Sequence, residues 1–132
     1  MKFIVFAFSA FLIFSALNVL PASAQRRDYL NDEEIELVRD FQQIDQRIEI
    51  LVIAINRRFA VLNNQPSPIT KNAEKWGAEP KGTRAELIWD ITKLLQKAVD
   101  DIDDLAAREG AMDSKFFPKA VHKLAESAER FI

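Results

Sequence analysis

Apolar side chains recur every three or four residues along most of this chain, and this spacing restricts its fold more than any other feature. The first series runs from residue 37 to residue 62 without Gly or Pro. Because an α-helix has about 3.6 residues per turn, such a series places its side chains on one helical face. Its members are Leu37, Phe41, Ile44, Ile48, Leu51, Ile55, Phe59 and Leu62. The pattern predicts one helix over residues 32–63, begun by Asn31 and Glu34 as a capping box.

Two further helices follow by the same argument. Thr83 and Glu86 form a second capping box, and the apolar stripe behind them predicts a helix over residues 84–109 that Gly110 ends. A third series predicts a helix over residues 115–131. The two stripes are Leu87, Ile91, Leu94, Ala98, Ile102 and Leu105, and Phe117, Val121, Leu124, Ala128 and Phe131.

Three amphipathic helices in one chain must bury their apolar faces against one another. We therefore predict an all-α fold, in which a long antiparallel helical hairpin and a shorter third helix form a three-helix bundle. The third helix is expected to fold back over the first half of the first. Residues 25–132 then make one domain. Residues 64–82 form a long loop that holds three of the five Pro and two of the three Gly, and Trp76 is its expected anchor.

The first 24 residues differ from the rest of the chain. Lys2 is the only charge before Arg26, residues 3–20 are almost wholly apolar, and small residues end the segment. This order is typical of a secretory signal peptide. We expect cleavage between Ala24 and Gln25, which makes the mature protein secreted or periplasmic. The segment contacts a membrane only if it is left uncleaved.

The composition excludes several kinds of site. The chain has no Cys, which rules out disulfides, thiol nucleophiles and cysteine metal sites, and a single His excludes sites that need two. A formal net charge of −2 provides no strong attraction to nucleic acid, so we expect none as a partner. His122 lies off the third apolar stripe, and Met112 is the only Met outside the signal segment. The Met–His haem ligation of soluble four-helix cytochromes is therefore not expected, and we predict no cofactor.

An acidic stretch over residues 100–104 is the most unusual local feature. Four carboxylates crowd two helical turns, where like charges repel by a few tenths of a kcal/mol per pair. Asp100, Asp101 and Asp104 are candidate ligands for a loosely held divalent cation or a basic partner, and the alternative is a solvated acidic face. The antiparallel hairpin would place the acids of residues 32–36 at the same end. The molecule is thus predicted to have an acidic and a basic pole.

Two apolar features lie outside the main stripes. Ile50, Ile53 and Ala54 make the middle of the first helix apolar nearly all round, and such a helix is buried on several sides. We predict a homodimer centred on this patch with Arg57 at its rim; the alternative is that the loop or the third helix covers Ile50 within one chain. Trp89 also lies off its stripe, either covered by the loop or exposed as an anchor for a partner.

A resemblance is carried by three short segments in the first half of the chain. The segments over residues 28–40, 44–49 and 56–59 resemble the opening of small exported proteins of uncharacterised bacterial families. The resemblance covers about a quarter of the chain. It implies export and no particular activity.

The sequence contains no recognisable catalytic arrangement. It has no Ser–His–Asp set and no phosphate-binding Gly loop, and its paired carboxylates are expected on an exposed face, which does not suit general acid–base catalysis. We predict a non-catalytic, exported helical bundle that binds another protein or itself. The alternative is a protein that binds a small ligand or a divalent cation through the acidic stretch or a cleft beside the loop.

Overall fold

The computed structural model describes residues 27–131, which form four α-helices and two short 3-10 turns and contain no strand. The helices are α1 (Asp32–Asp40), α2 (Ile44–Leu62), α3 (Arg84–Ala106) and α4 (Phe116–Glu129), and the turns span Ala73–Trp76 and Ala111–Asp113. The predicted all-α class is confirmed. The predicted signal peptide and its cleavage site between Ala24 and Gln25 lie outside the described residues.

Capping boxes begin α1 and α3, as the sequence predicts. The Asn31 side chain accepts a hydrogen bond from the Glu34 amide at 2.7 Å, and the Glu34 carboxylate accepts one from the Asn31 amide at 3.1 Å. Thr83 and Glu86 repeat this arrangement at the start of α3. Hydrogen bonds from Thr83 hold the pKa of Glu86 below its usual range. The cap therefore contributes at neutral pH and is lost as the pH falls through that lowered pKa.

The predicted single helix over residues 32–63 is wrong, because the chain leaves the helical conformation at residues 41–43. Phe41 (φ −94°, ψ 95°) and Gln43 (φ −71°, ψ 128°) are extended, and α1 and α2 are separate helices. The carboxylate of Glu34 lies within 2.5 Å of a guanidinium nitrogen of Arg57. In one straight helix these residues would be about 34 Å apart along the axis. The chain therefore reverses between α1 and α2 so that α1 packs back against the end of α2.

Helix α2 is the central element of the bundle. α3 runs antiparallel to it, since Arg58 near the end of α2 lies 3.9 Å from Asp90 near the start of α3. α4 runs parallel to it, with Lys123 bound to Glu49 and Phe131 stacked on Phe59 at a ring separation of 5.3 Å. α4 therefore covers α2 itself rather than the first half of the predicted long helix.

The third side of α2 is covered by α1 and the first 3-10 turn. Ile50 is 8% exposed and Ala54 is fully buried, while Ile53 is half-buried and Arg57 is 5% exposed. Ile50 and Arg57, the predicted centre and rim of the homodimer interface, are thus not available at the surface, whereas half-buried Ile53 borders α4 on another side of α2. The homodimer prediction assumed that the predicted helices leave this side of α2 open. The assumption is wrong, because α1 folds back over this side of α2.

A buried ion network holds α1 on α2. Glu34 is fully buried, and its two oxygens accept hydrogen bonds from Arg58 at 2.7 and 2.8 Å and one from Arg57 at 2.5 Å. Arg57 also donates to the carbonyl oxygens of Trp76 at 3.0 Å and Ala78 at 2.7 Å. Its guanidinium lies 5.7 Å from the Trp76 ring centroid. Helix α1, the end of α2 and the long loop are therefore fixed by one set of charged side chains.

The same network reaches α3 through Asp90. This buried carboxylate accepts two hydrogen bonds from Arg27, at 3.0 and 2.9 Å, and lies 3.9 Å from Arg58. Arg27 also donates to the carbonyl oxygen of Lys81 at 2.6 Å. The hydrogen bond with Asp90 raises the pKa of Arg27. The segment before α1 is thus tied to the start of α3.

The predicted division into an acidic and a basic pole is wrong. The acids in the first turn of α1 lie beside Arg57 and Arg58 at the end of α2, as the contacts of Glu34 show. Asp101 and Asp104 lie beside Gln43, which precedes α2, and beside Arg47 in the first turn of α2. Because α1 reverses, the two acidic groups lie at opposite ends of the bundle.

We expect Glu34→Ala to lower the free energy of unfolding by about 3–5 kcal/mol, because the truncation leaves two buried arginines without their carboxylate. Glu36→Ala is the matched control on the same helix, since Glu36 makes only an exposed ion pair with Arg39. Its cost is expected to be below about 1 kcal/mol. Urea unfolding, monitored by circular dichroism, measures the free energy of unfolding of both variants. Equal losses in the two variants would contradict the role given to Glu34, and Glu34→Gln provides the comparison if the alanine variant does not fold.

Candidate functional site

Exposed apolar side chains are concentrated on α3. Among residues 27–131, five large apolar side chains are at least 40% exposed. They are Ile88, Trp89, Val99, Met112 and Val121. Three of the five belong to α3, although this helix also supplies Leu87, Ile91 and Leu94 to the core. The outer surface of α3 is therefore the first candidate for binding.

Two of these exposed side chains share one face of α3 with Leu95. At 100° per residue, Leu95 and Val99 each lie within about 20° of Ile88 around the helix axis. Leu95 is half-buried and packs against the core. Thr92 lies between them, and its hydroxyl donates to the carbonyl oxygen of Ile88 at 2.9 Å, so this polar group is satisfied within the helix. We call these four residues the α3 strip.

Trp89 lies about 100° around α3 from the strip. It is 41% exposed, and it contacts the Tyr29 ring edge-on at 6.4 Å and the Lys93 ammonium at 5.5 Å. Trp76, the expected anchor of the long loop, does not lie near it in these contacts but is buried with the Arg57 guanidinium over its ring. The structure places Trp89 at the surface and Trp76 at the anchored part of the loop.

A cleft of about 490 Å³ lies between α1 and the first 3-10 turn, and we call it the loop cleft. Its apolar lining comes from Leu37, Phe41, Ile50 and Trp76. Its charged lining comes from Glu33, Glu36 and Asp40 on α1 and from Lys71 and Lys75 on the loop. The volume is in the range of small-molecule sites, and the lining combines aromatic and aliphatic side chains with five charged ones.

The acidic stretch does not gather its carboxylates. Asp101 and Asp104 line a cavity of about 300 Å³ together with Arg47 and Arg108, whereas Asp100 accepts a hydrogen bond from Gln96 at 2.8 Å. One Asp101 oxygen pairs with Lys97 at 3.3 Å, and the other has no hydrogen-bond partner. No group of three or more His, Cys, Asp or Glu side chains within residues 27–131 is placed to hold a metal ion.

The two residues weighed as haem ligands are both at the surface. His122 is 80% exposed and lies 4.0 Å from Glu126, one turn further along α4. Met112 is 61% exposed in the second 3-10 turn. Neither side chain points into the core of the bundle.

The sequence analysis missed the buried charges, although a signal for two of them is present. Asp90 falls on the core side of α3 between Leu87 and Leu94, and Arg58 falls between Ile55 and Leu62 on the stripe of α2. A charge within an apolar stripe must be paired if the stripe is buried. No such signal marks Glu34, because the capping box already explains an acidic residue at this position.

Two further findings concern membrane spans and similarity to known proteins. No helix within residues 27–131 is both long and apolar enough to cross a membrane. No family model matches the sequence, and neither the curated proteins nor the solved structures contain a match to this chain.

Proposed function

We propose that this protein is an exported, non-catalytic interaction module that binds another protein chain through the α3 strip. The observation that carries the proposal is the alignment of exposed Ile88 and Val99 with Leu95 on one face of α3. Exposed apolar side chains that are aligned on one helical face, unlike scattered ones, can be covered together by one partner. The Thr92 hydroxyl already makes a hydrogen bond within the helix, so burying the strip would leave no side-chain polar group without a partner.

The buried carboxylates also favour binding over catalysis. Glu34 and Asp90 are each held by arginine side chains through short hydrogen bonds. A carboxylate that serves as a general acid or base must reach its substrate. These two carboxylates instead fix α1, α3 and the loop on α2, so their hydrogen bonds and charges stabilise the fold.

We test the interface by placing a photo-crosslinking amino acid at single positions of the protein in its native host. We expect adducts from Ile88 and Val99 and none from Asp100, which is exposed on the same helix about 120° away from Ile88. Mass spectrometry of each adduct identifies the second chain. Equal crosslinking at Asp100, or none at Ile88 and Val99, would overturn the proposal.

Export makes a separate prediction. Cleavage after Ala24 keeps Arg27, and with it every contact described for residues 27–131. We therefore expect the mature protein to begin at Gln25 and to fold as described. Intact mass of the secreted or periplasmic protein measures its start, and recovery of the full-length chain in the membrane fraction would contradict export.

The loop cleft supports a second candidate function, the binding of a small ligand that carries an apolar body and both charges. Acidic side chains line one wall and lysines the other, around an aromatic and aliphatic lining. Such a lining matches a zwitterionic aromatic compound, with its ammonium toward α1 and its carboxylate toward the loop.

Phenylalanine, phenethylamine and phenylpropionate are probes that differ only in their charged groups. We expect phenylalanine to raise the melting temperature most, because only phenylalanine has both an ammonium group for the acidic wall and a carboxylate for the lysine wall. At ten times its dissociation constant the stabilisation is about 1.4 kcal/mol, which raises the melting temperature by several degrees. Lys75→Glu is expected to remove the response, and Lys119→Glu on α4 is the control that keeps it. No response to any probe, or an equal response in both variants, would contradict a ligand in the cleft.

A further inference from the structure

We propose that the partner of the α3 strip is a second copy of this chain, related by a two-fold axis so that α3 packs antiparallel on the α3 of that copy. The inference rests on the proposed function, since it takes the strip to be an interface. It adds the identity of the partner and the register of the contact. Both follow from the way the strip residues are distributed along the helix.

The strip is symmetric about its own centre. In an antiparallel pair of identical helices with a two-fold axis, residues at equal distances from the axis on opposite sides face each other. Ile88 and Val99 are equidistant from a point between residues 93 and 94, and Thr92 and Leu95 share that midpoint. Ile88 of each copy therefore faces Val99 of the other, and Thr92 faces Leu95.

The charges that border the strip have the same midpoint. Arg84 and Asp103 are exposed, and each lies within about 60° of Ile88 around α3. Within residues 27–131 neither side chain takes part in an ion pair. They lie at the two ends of the strip, about 28 Å apart along the axis. Arg84 and Asp103 lie on opposite flanks of the strip, about 100° apart around α3. When the two helices cross at about −50°, the angle at which their i±4 ridges interdigitate, Arg84 of each copy comes beside Asp103 of the other, so opposite charges close both ends of the apolar contact.

The side chains of the strip also suit close approach of two helices. The inner pair, Thr92 and Leu95, lies next to the axis, and the β-branched Ile88 and Val99 fill the space one turn outward on each side. A contact between two single helices falls at the small end of protein interfaces, so we expect dissociation in the micromolar range.

A charge swap tests the register. Sedimentation velocity of the mature protein over a concentration series should show a dimer in the wild type. Arg84→Asp and Asp103→Arg each create two like-charge contacts, and each should weaken the dimer about fivefold to tenfold. The double variant restores opposite charges at both ends and should regain the affinity of the wild type. Recovery in the double variant shows that position 84 of one copy lies beside position 103 of the other, as this register requires.

The same substitutions keep the monomer folded. An acid at the first residue of α3 and a base in its last turn both agree with the helix dipole, so loss of the dimer cannot be attributed to unfolding. Circular dichroism of each variant measures its helicity. Val99→Glu places a charge within the strip and should abolish the dimer, whereas Asp100→Asn on the adjacent face should leave it unchanged.

Each outcome separates the two proposals. A protein that is monomeric at every concentration overturns the second copy as partner, while crosslinks from Ile88 and Val99 to a different chain would still support the interaction module. A dimer that survives Val99→Glu overturns the inference because its interface lies elsewhere. A dimer that Val99→Glu breaks but the double charge swap fails to restore overturns the proposed register.

Discussion

The structure depends on one buried carboxylate. Glu34 in the first turn of α1 accepts hydrogen bonds from Arg57 and Arg58 at the far end of α2 and is fully buried. A buried charge of this kind is tolerated only when it is paired and hydrogen-bonded, so the ion pairs and the chain reversal that permits them are formed together. The reversal at residues 41–43, the position of α1 and the anchoring of the loop through Arg57 all follow from this contact.

The reversal changes which surfaces the protein offers. With α1 and the first 3-10 turn on its third side, α2 is enclosed, and the apolar residues around Ile50 become core. The exposed apolar surface of the described residues then lies largely on α3, whose inner face packs on α2 while Ile88 and Val99 face outward. The loop cleft arises from the same event, because its two walls are α1 and the loop that Arg57 holds. The loop cleft is thus a consequence of how the charged network places α1, whereas the α3 strip is exposed because α3 packs its other face on α2.

The sequence predicted the helical class, the two capping boxes and the approximate bounds of α3 and α4, because all of these rest on local spacing and on hydrogen bonds within a few residues. It also marked Trp89 and Trp76 as aromatic residues that lie apart from the helical stripes. The break after Asp40 had no such local signal. Residues 41–43 contain neither Gly nor Pro, and the apolar period continues through them. A helical pattern shows which face is apolar but not where the chain turns back.

Local pattern therefore determined by itself that the chain forms amphipathic helices, and it placed most of their ends. The tertiary structure decided that Glu34 meets Arg57 and Arg58, which are more than 20 residues away, and that the patch around Ile50 is covered from within. It likewise decided that the first acidic group lies at the opposite end of the bundle from residues 100–104. The physical reason is that the partner of a buried charge can be far away in the sequence. Local pattern does not show which of the arginines will pair with Glu34, and only the packing of α1 against α2 selects Arg57 and Arg58.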